Sequence, residues 1–221
     1  MKVIPKYLIL VLIAVSIYMF FNYTQVIGSY PIKTISFKGD FIYANENKIR
    51  KQLRSLIGQD LIKIDILKIK DNVKENDWVS NVIVERRLPD TLFIEIFEYR
   101  PIIIWNKNYY IDDIGKKFSV KQNIVLDLPK IRSNILNYKT MYNLYINLSE
   151  MLNEIDLKII SISHENDMLD IHTDRYNFLV RYSLYSQKID EFIHVFEQFQ
   201  NKNKKNIQTI DLRYPTGFAV H

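Results

Sequence analysis

The sequence predicts an α+β protein: an apolar helix at the N-terminus, a small β-α-α-β-β unit, then a β-rich unit with two helices. Three features point there. Residues 7–21, YLILVLIAVSIYMFF, contain no charge. Apolar residues recur at helical spacing through Ile49, Leu53, Leu56, Ile66, Ile69 and Val73, then give way to strand alternation at Leu92, Ile94 and Ile96. Beyond Arg100-Pro101, short β-rich runs are interrupted by two further helical stripes.

The first element reads as a transmembrane helix. Residues 7–21 alone rise only about 22 Å, but a helix over residues 3–23 rises roughly 31 Å, enough for a hydrocarbon core. Pro5 then falls in the first turn, where its missing N–H costs little. Lys2, Lys6 and the amino terminus lie on one side, which leaves that end in the cytoplasm. Tyr18, Phe20, Phe21 and Tyr23 suit an aromatic belt at the far interface. Residues 1–6 are thus a cytoplasmic tail, 7–23 the anchor and 24–31 a linker. The alternative is a cleaved signal peptide, for which Val26-Ile27-Gly28 offers small residues at the two positions a signal peptidase reads. The apolar run sits at the upper limit for such a peptide and is six residues from Gly28, which favours an uncleaved anchor. In both cases everything after residue 30 is exported.

Residues 32–37 follow as a strand that turns at Lys38-Gly39-Asp40. Ile49, Leu53 and Leu56 mark a helix that Gly58 closes, and Asp65 is the N-cap of a second helix carrying Ile66, Ile69 and Val73. Residues 78–86, WVSNVIVER, are β-rich. Leu88-Pro89-Asp90-Thr91 is a turn in which proline presets φ. Leu92, Ile94 and Ile96 then alternate with Phe93, Glu95 and Phe97 as a half-buried strand, so that Trp78 and Leu92 are structural. These elements make residues 32–98 one unit and residues 99–221 the next. In the second, strands are expected over 102–105, 109–111, 117–120, 158–164, 168–173, 177–182 and 207–212. Met141, Leu144, Tyr145, Leu148, Met151 and Leu152 form one helical stripe; Ile189, Phe192, Ile193, Phe196 and Phe199 form the other. Residues 201–206, NKNKKN, are a solvated loop.

Composition narrows the function. The chain has 221 residues, 48% hydrophobic and 25% charged, which excludes intrinsic disorder. It has no cysteine, hence no disulfide, thiolate metal site or cysteine nucleophile. The net charge is +5, but from Ile32 onward 28 basic residues face 25 acidic ones, a surplus of three. That mild mixture is no nucleic-acid footprint. No phosphate-loop, dinucleotide, zincin or nucleophile-elbow motif is present. His164, His172, His194 and His221 have no helical metal-ligand spacing and read as isolated surface residues. Asp112-Asp113 before Gly115 reads as a turn that satisfies its own backbone. Ser163-His164-Glu165 is no triad, because strand neighbours point to opposite faces; Glu95 and Glu98 are separated in the same way. Asn22-Tyr23-Thr24 and Asn147-Leu148-Ser149 match glycosylation acceptors but carry little weight. Nothing here supports an enzyme, and the remaining function class is an exported interaction module held at a membrane.

Three stretches then carry a family resemblance. The first is Gly58-Gln59-Asp60-Leu61 leading to Asp65. The second is Trp78-Val79 with Arg86-Arg87-Leu88-Pro89-Asp90-Thr91-Leu92, Glu95, Glu98, Arg100-Pro101 and Trp105. The third is Ile210-Asp211-Leu212-Arg213-Tyr214-Pro215-Thr216-Gly217-Phe218-Ala219-Val220. In this order behind an anchor, the chain resembles the bacterial FtsQ/DivIB cell-division family. The tail of about six residues is shorter than many relatives carry, and Leu128-Pro129 lacks the nearby glycine common in the family. The resemblance implies that residues 32–98 are a POTRA domain and residues 99–221 an FtsQ-type β-domain. It implies a single-pass inner-membrane scaffold at the division septum, with periplasmic domains and no catalytic activity or cofactor. Its partners would be the FtsB- and FtsL-like single-pass proteins, with further contacts to FtsK and FtsW near the membrane, and it leaves room for weak homodimerisation.

By that resemblance the FtsB segment pairs with the last strands of the β-domain, and Arg213, Tyr214, Pro215, Thr216, Gly217 and Phe218 are the partner-binding residues. Physical reasoning agrees. A terminal strand at a sheet edge leaves N–H and C=O groups open for strand addition. Pro215 is tolerated at an edge, and Gly217 allows close approach of another backbone. Tyr214 is an aromatic anchor with a polar tip, and Arg213 can pair with an acidic partner. The competing reading makes residues 213–217 only a turn that closes the sheet. Two other functions compete: another POTRA-containing envelope assembly factor, for which residues 99–221 are too short to supply a large barrel, and a signal-anchored periplasmic hydrolase, for which no converging catalytic groups are present.

Overall fold

A run of apolar side chains with no charge after Lys6 forms α1 (Lys6–Val26, 21 residues). The computed structural model describes residues 6–26, 30–121, 124–202 and 208–221. The tail up to residue 5, Ile27 and Gly28 of the signal-peptide alternative, and residues 203–207 of the expected loop and last strand lie outside the described residues. The side chains described on α1, Tyr7 and residues 9–20, are all exposed. They are unbroken only over 9–20, about 18 Å of rise. Among the described residues no helix is long and apolar enough to cross a membrane, and the expected span over 3–23 begins before them.

The chain divides into two compact units, one ending at Glu98 and one beginning at Tyr99. In the first, β1 (Thr34–Lys38) is followed by α2 (Glu46–Leu53), a 3-10 turn over Arg54–Leu56, α3 (Ile66–Lys74), β2 (Val79–Arg87) and β3 (Thr91–Glu98). The β-α-α-β-β order is the expected one. β3 is the central strand: β1 pairs with it in parallel and β2 antiparallel. Asn45 caps α2 by accepting from Lys48 N–H, and Asp65 caps α3 by accepting from Leu67 and Lys68 N–H. Gly58 turns the chain between the helices at φ +85, a conformation that favours glycine. Ile49, Leu53, Ile69 and Val73 are buried from the helices, and Leu92, Ile94 and Ile96 from β3, so the 3.6 period meets the period of two in one core. Trp78 is buried against Tyr43, ring centroids 4.5 Å apart.

Two charged side chains of this unit act as clamps. Arg86 donates from Nε to Leu61 O (2.7 Å) and from Nη2 to Ile64 O (2.8 Å), fixing the connection between the helices. The Glu98 carboxylate accepts from the N–H groups of Ile42, Tyr43 and Ala44 at 2.5–3.3 Å. Phe93 departs from the alternating pattern. It faces away from the Leu92 row yet is buried, because the Arg87 guanidinium lies 3.4 Å over its ring. The expected turn joins β2 to β3, with a cis Leu88–Pro89 bond.

The second unit has β4 (Pro101–Trp105), β5 (Tyr109–Asp112), β6 (Lys117–Phe118), β7 (Lys130–Ser133), α4 (Tyr138–Asn153), β8 (Ile159–Glu165), β9 (Met168–Thr173), β10 (Asn177–Arg181), α5 (Tyr185–Lys202), β11 (Thr209–Asp211) and β12 (Ala219–Val220). The strands make one nine-stranded sheet in the order β12-β11-β10-β9-β8-β7-β4-β5-β6. β7 and β12 had no counterpart in the sequence reading. β7 inserts in parallel between β4 and β8 and joins the two halves of the sheet. The core combines Met141, Leu144, Leu148 and Leu152 of α4 and Ile189, Phe192 and Phe196 of α5 with Ile162, Ile171, Phe178 and Ile210 of the sheet.

His164 is a correction to the surface reading. It is 2% exposed, because its position on β8 faces the core. Its Nδ1 lies 3.0 Å from Ser133 Oγ, and the two residues are register partners across β7 and β8. His172 and His194 do lie at the surface, beside Asp170 and Asp190. Asp112 satisfies its own turn, accepting from Ile114 N–H at 3.2 Å and Lys116 N–H at 2.6 Å.

Candidate functional site

The predicted site residues follow β11, and the geometry starts from how β11 is held. It pairs in parallel with β10, with Phe178 opposite Ile210, and Leu212 N–H extends the ladder to Leu179 O at 2.8 Å. β11 was expected to be the free edge. Instead β12 covers it, placing Val220 opposite Ile210 and Ala219 opposite Asp211, with His221 bonded to Gln208 and Thr209. At this end of the sheet the edge strand is therefore β12, unpaired on its outer side among the described residues. Residues 212–218 form the hook that turns the chain from β11 back into β12.

Each predicted residue has a distinct place in this hook. Arg213 folds back on Asp211, donating from Nε to Oδ1 at 2.8 Å and from Nη2 to Oδ2 at 2.5 Å, so part of its donor capacity is used within the chain. That hydrogen bonding holds the Asp211 carboxyl below the usual carboxylate range, against the opposing effect of burial. Tyr214 stands out at 50% exposure. Pro215 is exposed, but its carbonyl accepts from Lys188 Nζ at 2.9 Å. Thr216 and Gly217 are exposed, and Gly217 has φ +71, which accounts for glycine there. Phe218 is drawn inward: its ring meets Phe192 at 5.3 Å and Phe199 at 6.0 Å, so it serves the core first.

Beside the hook lies a cleft of about 470 Å³. Tyr214 and Pro215 form one side, the Asn166–Met168 turn another, and Arg181 at the end of β10 contributes a cation. Arg181 is exposed and has no acidic partner among the described residues. The sequence reading missed Arg181 and the turn. Asn166-Asp167 between two β-rich runs was a visible turn signal, but nothing in the linear order places it next to residue 214.

Groups that enzymes use are placed otherwise. Ser133 and His164 make the one serine–histidine contact found among the described residues, and both are buried. Ser133 Oγ also accepts from Ile135 and Leu136 N–H at 3.2 and 2.9 Å, which commits it to the turn before α4. Among the described residues no group of three or more His, Asp or Glu could hold a metal ion.

Two family models match. The model described as POTRA domain, FtsQ-type, covers residues 30–99, and that described as cell division protein FtsQ/DivIB, C-terminal, covers residues 103–213. The second match stops at Arg213, so residues 214–218 lie beyond it. A cell division protein FtsQ of Alcanivorax borkumensis is 25% identical over 199 residues, 88% of this chain and 77% of the relative. One from Neisseria gonorrhoeae is 24% identical over 202 residues, 86% and 79% of the two chains. One from Rickettsia bellii is 36% identical over 83 residues, 36% and 30%.

Proposed function

Because the chain belongs to the FtsQ/DivIB family of bacterial cell-division proteins, we propose that it is a non-catalytic scaffold of the division septum that captures an FtsB-type partner by strand addition at β12. The observation that carries this reading is the β12 edge, unpaired among the described residues, which follows directly on the hook that exposes Tyr214. A partner strand laid along β12 would complete backbone hydrogen bonds that the edge leaves open. The cleft beside the hook offers that partner Arg181, a cation with no acidic partner among the described residues. Tyr214 supplies contact area at small entropic cost, having only two χ angles. FtsL-like proteins join through the same assembly, and FtsK and FtsW make contacts near the membrane.

The same reading makes α1 a single-pass anchor in the inner membrane, with the N-terminus cytoplasmic and both units periplasmic. It is supported by the uncharged run of the sequence and by the exposure of every described apolar side chain on the helix, an arrangement that hydrocarbon favours and water does not.

Titrating the full chain in detergent micelles with the exported segment of its FtsB-type partner tests the proposal. Tyr214→Ala is expected to weaken binding at least about thirtyfold, since hot-spot truncations cost about 2 kcal/mol or more, while the melting temperature stays near the parent's. Equal affinity for parent and variant rules out the hook as the binding surface. Loss of binding together with loss of fold makes residues 213–217 a turn that only closes the sheet.

A further inference from the structure

Lysine is almost never fully buried unless its ammonium is paired, because removing that charge from water is costly. Lys188, near the start of α5, is 5% exposed. Its Nζ reaches two acceptors, Glu191 Oε2 at 2.8 Å and the Pro215 carbonyl at 2.9 Å. A lysine–glutamate pair at this spacing on one helix forms equally well in water and needs no burial. The bond to Pro215 spans 27 residues of sequence and joins α5 to the hook.

The hook has few other fixings. Between Leu212 and Ala219 no main-chain to main-chain hydrogen bond is found among the described residues. One end is held by Arg213 on Asp211, the other by Phe218 against Phe192 and Phe199. In the middle, where Tyr214, Thr216 and Gly217 are exposed, the hydrogen bond from Lys188 is the side-chain tether found among the described residues. Resting on the reading of this hook as the partner-binding surface, we propose that Lys188 is a positioning residue that holds the hook in the shape the partner meets. The ammonium touches no partner atom itself. It fixes the direction of the Pro215 carbonyl and with it the neighbouring Tyr214 ring, so the ordering of the hook is already complete before association. The hydrogen bonds from Lys188 and then Gln187 keep the Glu191 carboxyl below its ordinary range, so it accepts as a carboxylate at neutral pH.

The test is Lys188→Met in the full chain in micelles, a change that keeps the apolar stem and removes the donor. Backbone order parameters at 214 and 216–218 are expected to fall from the rigid range near 0.85 towards about 0.6. Those across β8, β9 and β10 stay at the parent's values. Affinity for the exported segment of the FtsB-type partner is expected to drop about tenfold, and Lys188→Arg, which keeps donors to both acceptors, to recover most of it. Parent-like order in the hook overturns the proposal; so does a loosened hook with parent-like affinity. If the Met variant does not fold, Lys188→Gln, too short to span both acceptors, takes its place, with the same outcomes supporting or overturning the proposal. Tyr214→Ala separates the two ideas, because it should weaken binding while leaving the hook ordered. If the parent does not bind the segment, the proposed function fails, and the order parameters alone judge whether Lys188 holds the hook.

Discussion

Glu98 closes β3, and its two oxygens gather the N–H groups of residues 42–44 from far back in the chain. Strand parity separated Glu98 from Glu95 correctly, since Glu95 pairs with Lys38 instead. Parity tells on which side of a strand a residue lies and not what waits there, so neither the Glu98 loop nor the carbonyls under Arg86 could be named beforehand. His164 shows the opposite failure. Polar neighbours on both sides, Ser163 and Glu165, hid its inward direction, and only the register with Ser133 reveals it. Asp211 gives a prediction at this scale. Its folded-state carboxyl is held below its ordinary value by Arg213. The stability it contributes is therefore complete above the unfolded pKa, about 3.9, and is lost as pH falls through the lower folded value. Melting temperatures measured between pH 7 and pH 3 should fall less steeply for Asp211→Asn than for the parent. Parallel profiles would show that the Arg213 contact does not persist in solution.

Long elements with a clean period were legible, and short ones were not. The stripes that predicted α4 and α5 face the core, with Tyr145, Met151 and Ile193 only half-buried at their margins, because three or four turns repeat the signal. β7 has four residues, Lys130-Ile131-Arg132-Ser133, of which a single one is apolar, and both of its partners are distant in sequence. β12 has two residues and no period at all, so the sequence pattern ends the sheet at β11. The hook inherits the same difficulty: its residues were identified, but their division between surface (Tyr214) and core (Phe218) depends on α5 packing behind them. β3 offers the sharpest test of an element. Leu92 is fully buried on the central strand, opposite Ile35 on β1 and Arg86 on β2. Leu92→Ala should destabilise the first unit by about 2–5 kcal/mol. Denaturant unfolding of the full chain followed by Trp78 fluorescence in a Trp105→Phe background measures it, and an unchanged midpoint would refute the assignment of that strand face.

At the scale of the whole molecule, the proposal that α1 is a membrane anchor can be tested directly. The apolar length and the six-residue distance to Gly28 predict that it is retained. Intact mass of the membrane-extracted protein should include the first residues, and a mature chain beginning at Ser29 would overturn the anchor. The order of strands in the first unit bears on how that chain comes into being. β1 bonds to β3 and not to β2, so the earliest strand to leave the ribosome has no mate until Thr91–Glu98 has been made. Both clamps, Arg86 and Glu98, also sit on the late hairpin and reach back to earlier segments. A half-synthesised first unit is thus a lone strand and two helices with no floor to lie on. Such distant closures are slow and leave apolar surface uncovered meanwhile. The unit should snap together as a single event when its last strand arrives, and a nascent chain stalled before residue 91 should be an open target for proteases.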